Sequence, residues 1–176
     1  FIIPLAFVGV LIGTFTFSYL TNDHIRMIIG LMAIIFCLDY YFRKDSDKPK
    51  KPSKFASYLW PSLSGFTSFS IHAGGLPLSF YLLPMRLDRT MYVATAGLFY
   101  LLINLFKIFP YAYLGEMNFE NIYTSLLLLP LAPLGVYFGA YLVDKIGQDW
   151  FYKIGYFCTL LAGCKLFYDG SIKLFL

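Results

Sequence analysis

Apolar positions along the chain gather into six runs, parted by short polar or charged stretches: Phe1–Leu20, Asp23–Phe42, Phe55–Pro84, Thr90–Phe109, Ile122–Val143 and Asp149–Phe167. Five have the roughly 20 residues that a helix needs to cross a hydrocarbon core ~30 Å thick. The pattern predicts an all-α, polytopic transmembrane protein with about six membrane segments. The run Phe55–Pro84 is overlong, and its second part, GFTSFSIHAGGLPLSFYLLP from Gly65 to Pro84, cannot be one unbroken helix. Gly74, Gly75 and Pro77 weaken a helix where it most needs support. Thr67, Ser68, Ser70 and His72 bring polar groups to the same place. Broken segments of this kind are where membrane transporters hold substrate, because freed N–H groups and the positive end of a half-helix attract an anion.

Composition agrees with the pattern and narrows it. Hydrophobic residues make up 59% of the 176 positions and charged ones 14%, far from the makeup of a soluble domain. The net charge of +4 is accounted for by one segment, Arg43–Lys54 (RKDSDKPKKPSK), in which bases outnumber acids by the same margin. The positive-inside rule makes it a cytoplasmic linker. Contact with nucleic acid is not implied, since a short basic linker with two prolines between two spans is a topology signal. Cys37, Cys158 and Cys164 fall in apolar runs without metal or redox spacing and read as buried free thiols.

A repeat organises the chain. PLAFVGVLIG from Pro4 matches PLAPLGVYFG from Pro130 at an offset of 126, and Asp23 and Asp149 keep the same register. Residues 1–42 then read as the end of a first repeat with two transmembrane helices, 43–54 as the linker, and 55–176 as a second repeat with the broken segment and three further helices. A counterpart of the broken segment is expected upstream of Phe1. Gly9/Gly13 and Gly135/Gly139, each pair four apart, predict helix faces on which backbones approach closely. If the broken segment crosses once, the repeated pairs are parallel; if it turns back, they are inverted, and the placement of Arg86 and Arg89 favours turning back.

His72 has two readings: a structural hydrogen bond to nearby backbone, or an imidazole that donates to an anion and carries a coupling proton. Asn104 and Lys107 share a helix face. The lysine either snorkels outward or supplies a positive charge to the cavity. Arg86 and Arg89 mark an interface, with Arg86 also placed to gate or attract anions. No Ser-His-acid order, HExxH or paired intramembrane carboxylate supports a hydrolase.

The segments GFTSFSIHAGGLPLSFYLLPMRLDRTMYVAT, INLFKIFPY and LLPLAPLGVYFGAYL together resemble the second half of the TauE/SafE sulfite exporter family, with part of the first half before them. The resemblance implies a bacterial cytoplasmic-membrane permease with about eight spans in two related halves, moving sulfite, sulfoacetate and related organosulfur or organic acids. It points to Ser68, His72, Gly74, Gly75 and Pro77 as motif positions, with Asn104 and Lys107 as the polar pair on the next span. Leu76 stands where the family often has the first of two prolines. The expected partners are a small anionic substrate and membrane lipid, with self-association left open and no cofactor implied. The rival readings are a non-transporting membrane assembly subunit and a membrane enzyme acting on a lipid headgroup.

Overall fold

A computed structural model describes residues 2–16, 21–42, 48–115 and 119–175, the side chains of 119–122 and 173–175 excepted. The described residues form eight α-helices and no strand: α1 (Ile2–Thr16), α2 (Asn22–Phe42), α3 (Lys54–Ser70), α4 (Gly75–Leu82), α5 (Arg89–Tyr113), α6 (Phe119–Leu128), α7 (Leu131–Lys145) and α8 (Gln148–Phe175). A 3₁₀ turn, Leu83–Met85, follows α4. By length and apolarity two of these helices, α2 and α5, suffice to cross a membrane, fewer than the six segments expected. The helices α1 and α7 are each 15 residues long, and α8 intersperses Lys153, Lys165 and Asp169 among its apolar residues. The run Ile122–Val143 is divided between α6 and α7 at Leu129 and Pro130, because proline cannot donate the hydrogen bond that would carry a helix through. Residues 43–47 of the basic linker and Glu116 lie outside the described residues.

The broken segment turns back on itself. Ser53 caps α3, its Oγ accepting from the Ala56 N–H at 3.1 Å. At the far end the Thr67 carbonyl accepts from both Ile71 and Ala73 N–H, each at 3.1 Å, so the chain closes around His72. His72 takes a left-handed backbone, φ 55°, which few non-glycine residues adopt and which histidine does more often than most. The returning arm, α4, lies antiparallel to α3: Ser64 Oγ donates to the Gly74 carbonyl at 2.7 Å, and the Trp60 and Phe80 rings meet edge-on at 5.1 Å. A methyl group on Gly74 would sit 2.7 Å from the Ser64 carbonyl and from Ser68 Cβ, so the arms close this tightly only over glycine. The Lys50 N–H donates to the Pro84 carbonyl at 2.8 Å, and the hairpin therefore enters and leaves at one point. Pro77 falls in the first turn of α4, where a helix has no use for its N–H.

Two helix pairs frame this hairpin. The helix α1 runs parallel to α3, with Gly9 seated on the Ser62 backbone and Gly13 against the Phe69 ring. Phe7 of α1 stacks on Phe106 of α5 at 4.3 Å, and Val10, Phe69, Leu82, Phe99 and Ile103 form the core between them. On the other side α2 and α8 are antiparallel: Gly170 lies against Asp23 and Met27, Gly163 against Gly30 and Ala33, and Cys37 Sγ donates to the Tyr156 carbonyl at 3.4 Å. Cys37 is buried as expected, whereas Cys158 and Cys164 on α8 are exposed. Leu76 and Phe80 of α4 bury themselves against α2. The two helices of this pair start at Asn22 and Gln148, the same offset of 126 that relates the matching sequences, and they run in opposite directions.

The α7 face departs from the packing expected of Gly135 and Gly139. Among the described residues nothing outside the helix's own backbone lies within 4 Å of where a Cβ at either glycine would stand, and α7 buries none of its residues.

Candidate functional site

The tip of the hairpin, Ile71 to Gly75, forms one wall of a cavity of about 870 Å³ whose other walls come from α2 and α8. His72 and Gly75 line it directly, with Ser79 one turn further along α4. Arg26 of α2 and Lys165 of α8 bring positive charge to the same space. Each has a carboxylate beside it: Arg26 Nη1 is 2.9 Å from Asp23 Oδ1 and Lys165 Nζ is 2.8 Å from Asp169 Oδ2.

The start of α4 supplies donors without acceptors. Among the described residues nothing accepts a hydrogen bond from the N–H groups of Gly74 or Gly75, and the first bonds of this helix are Leu76 N–H to the Ala73 carbonyl at 3.3 Å and Leu78 N–H to the Gly74 carbonyl at 3.2 Å. Such an end carries partial positive charge. Only ordinary van der Waals space faces Gly75, where an added Cβ would be 3.7 Å from the Tyr100 hydroxyl.

Lys107 does not snorkel outward. It is buried, 6% exposed, and its Nζ donates to the Ser68 carbonyl at 3.1 Å and to Ser68 Oγ at 3.2 Å. Tyr111, one turn on, donates its hydroxyl to the Phe69 carbonyl at 3.0 Å. Together they satisfy the last carbonyls of α3, where the helix dipole favours a cation. No carboxylate among the described residues pairs with Lys107. The His72 ring lies 6.2 Å from that of Tyr111, and the ammonium 5.7 Å from the same ring.

Of the residues expected at the site, His72 and Gly75 therefore reach the cavity. Ser68, Gly74, Pro77 and Lys107 are buried in the hairpin and its junction with α5 and do not line it. Asn104, one turn before Lys107, is exposed and also lies outside the cavity lining. The sequence reading passed over Arg26, Ser79, Lys165 and Asp169. Charges inside the apolar runs Asp23–Phe42 and Asp149–Phe167 are the signal that marks two of them, Arg26 and Lys165.

At the opposite end of α2, Arg86 is held by several groups at once. It follows the 3₁₀ turn with φ 50°, donates from Nη2 to the Tyr40 hydroxyl at 3.2 Å, sits 4.7 Å from the Tyr152 ring centre and 3.8 Å from Asp149. Tyr40 in turn stacks on Tyr156 at 3.5 Å. Arg89 donates to the Ile146 carbonyl, and Gln148 Nε2 and the Tyr152 hydroxyl each donate to the Leu87 carbonyl at 2.6 Å. This end of the molecule gathers the junction between hairpin, α5 and α8. No group of three or more His, Cys, Asp or Glu side chains among the described residues is arranged to hold a metal ion.

The chain matches the sequence model of the family described as sulfite exporter TauE/SafE over residues 1–166. No curated protein and no solved structure matches it. The all-helical fold, the apolar exterior and a match over nearly the whole length lead to one conclusion: the chain belongs to the sulfite exporter TauE/SafE family, integral-membrane transporters of sulfite-type anions and not enzymes.

Proposed function

We propose that the 870 Å³ cavity is one access pocket of a permease for sulfite and for related organosulfur or organic acids such as sulfoacetate. In this reading the anion meets the open Gly75 N–H at the start of α4, with His72 donating from the hairpin tip and the ion-paired Arg26 and Lys165 on the facing walls. The observation that carries it is the convergence of an unpaired helix start and three basic side chains on one cavity. Gly74 and Pro77 shape the tip, Ser68 and Lys107 fix the end of α3 behind it, and Asn104 has no part. The helices α1, α2, α5, α6 with α7, and α8 form five crossings of the bacterial cytoplasmic membrane, and the hairpin is a sixth, re-entrant segment. Residues 43–54 face the cytoplasm, and residues 1–42 and 55–176 belong to two inverted repeats.

The test has two parts. Sulfite should raise the melting temperature of the purified protein, because a ligand bound only by the folded state stabilises it by about 2.7 kcal/mol at a hundredfold excess over Kd; sulfite without effect overturns the site. His72→Gln keeps a donor but cannot titrate near the ordinary histidine pKa of about 6.5. If His72 carries a coupling proton, uptake into vesicles that rises as the pH falls becomes flat with pH in this variant; an unchanged profile assigns the proton elsewhere.

A further inference from the structure

The helices α2 and α8 start 126 positions apart and pack antiparallel, so a shift of 126 should carry contacts at one end of the pair to contacts at the other. It does: Gly30 against Gly163 becomes Tyr156 against Cys37, and both pairs are in contact. The same shift applied to the large cavity is informative. Ala162, Lys165 and Leu166 line it from α8, and their counterparts on α2 are Phe36, Asp39 and Tyr40. These three line a second cavity of about 130 Å³ at the Pro84 end of the hairpin. Its remaining walls are Lys48, Lys50, Pro84 and Tyr156.

One member of this related pair is wide and the other nearly shut. The small one is closed inward by Phe36, whose ring lies 4.7 Å from Phe80 and 5.5 Å from Tyr156. Beside it Tyr40 stacks on Tyr156 at 3.5 Å and is hydrogen-bonded by Arg86. Arg86 also bridges to α8 through the Tyr152 ring and Asp149, so one side chain ties the return of the hairpin to both helices. In transporters built from inverted repeats, the two halves exchange conformations so that pockets on opposite sides open in turn.

Resting on the reading of the large cavity as an anion pocket, we propose that the small cavity is its closed counterpart: a second anion vestibule, held shut by Arg86 and the Tyr40–Tyr156 stack. Lys48 and Lys50 are its anion-attracting mouth. The basic segment before α3 then serves permeation as well as topology. Lys48 is exposed and Lys50 half-buried, and in the lining these two bases outweigh the single carboxylate of Asp39.

Two variants of the full chain test this, with inorganic sulfite as the probe. In the first, Lys48→Glu with Lys50→Glu, sulfite flux into vesicles falls about tenfold or more, since reversing charge at a mouth removes electrostatic steering of that order. Sulfite-dependent thermal stabilisation stays as in the wild type, because the open cavity is untouched. Unchanged flux overturns the proposal, and so does a parallel loss of stabilisation, which would merge these lysines with the first site. In the second, Phe36→Cys is placed in a background with Cys158→Ala and Cys164→Ala, and its labelling by a membrane-impermeant thiol reagent is followed with and without Arg86→Gln. Releasing a closed state that is only rarely open raises the labelling rate about tenfold; an unchanged rate in folded protein removes Arg86 as the closing element. A wild type that sulfite does not stabilise at all would instead defeat the anion pocket itself, so the two failures are distinguishable.

Discussion

At Gly74 and Gly75 two adjacent glycines have different tasks. A Cβ at Gly74 falls 2.7 Å from both Ser64 O and Ser68 Cβ, whereas at Gly75 the nearest atom is 3.7 Å away. Gly74→Ala should therefore lower stability by about 1–3 kcal/mol, the usual cost of forcing atoms into a filled space. Gly75→Ala should leave stability within about 0.5 kcal/mol, and Gly75→Leu should fold but lose sulfite binding by filling the space in front of the helix start. Melting curves with and without sulfite read both effects, and equal melting temperatures for the two alanine variants would refute the division. From sequence the HAGG core was legible as a break, since glycine and proline advertise themselves. The unequal roles of its glycines were not, because they depend on what α3 places opposite each one. Lys107 was ambiguous for the same reason: only the fold shows the α3 carbonyls within its reach.

The small-residue pairs behave oppositely on different helices. Gly9 lets α1 sink onto the α3 backbone, while Gly135 and Gly139 face open space on a helix that buries nothing. Gly9→Leu should abolish folding or cost several kcal/mol, beyond the about 1–3 kcal/mol of ordinary overpacking, because backbone and not a pliable side chain stands in the way. Gly135→Leu should leave the monomer's melting temperature unchanged. The same substitution then becomes a probe of self-association: if α7 packs against a second copy, it shifts the oligomer in cross-linking or sedimentation without unfolding the subunit. A Gly135→Leu protein that fails to fold as a monomer would contradict the exposed α7 face. The sequence offered the two pairs as equivalents, since an i, i+4 glycine pattern says that close approach is allowed and not whether a neighbour is there.

For the molecule as a whole, the hairpin decides orientation. With Lys50 and Pro84 bonded to each other, the segment before α3 and the arginines after α4 share a side, which the proposed topology assigns to the cytoplasm by the positive-inside rule. Cysteines introduced at Lys51 and at Asp88 should both resist an impermeant reagent added to intact cells, whereas one at Tyr113 should react; opposite labelling of Lys51 and Asp88 would rule out the turn-back. The charges already leaned towards this topology, but apolar periodicity alone could not separate a crossing from a return, because α3 and α4 read as one long run. The single point of entry and exit also makes the hairpin a lever with its pivot at the Lys50–Pro84 bond. The longer arm, α3, has 17 residues, about 25 Å at 1.5 Å per residue. A tilt of about 5° at the pivot therefore carries His72 and Gly75 through roughly 2 Å, close to the reach of a hydrogen bond. In the proposed alternation of the two cavities, small rearrangements among Arg86, Tyr40 and Tyr156 would in this way be magnified into a full change of contact at the distant tip.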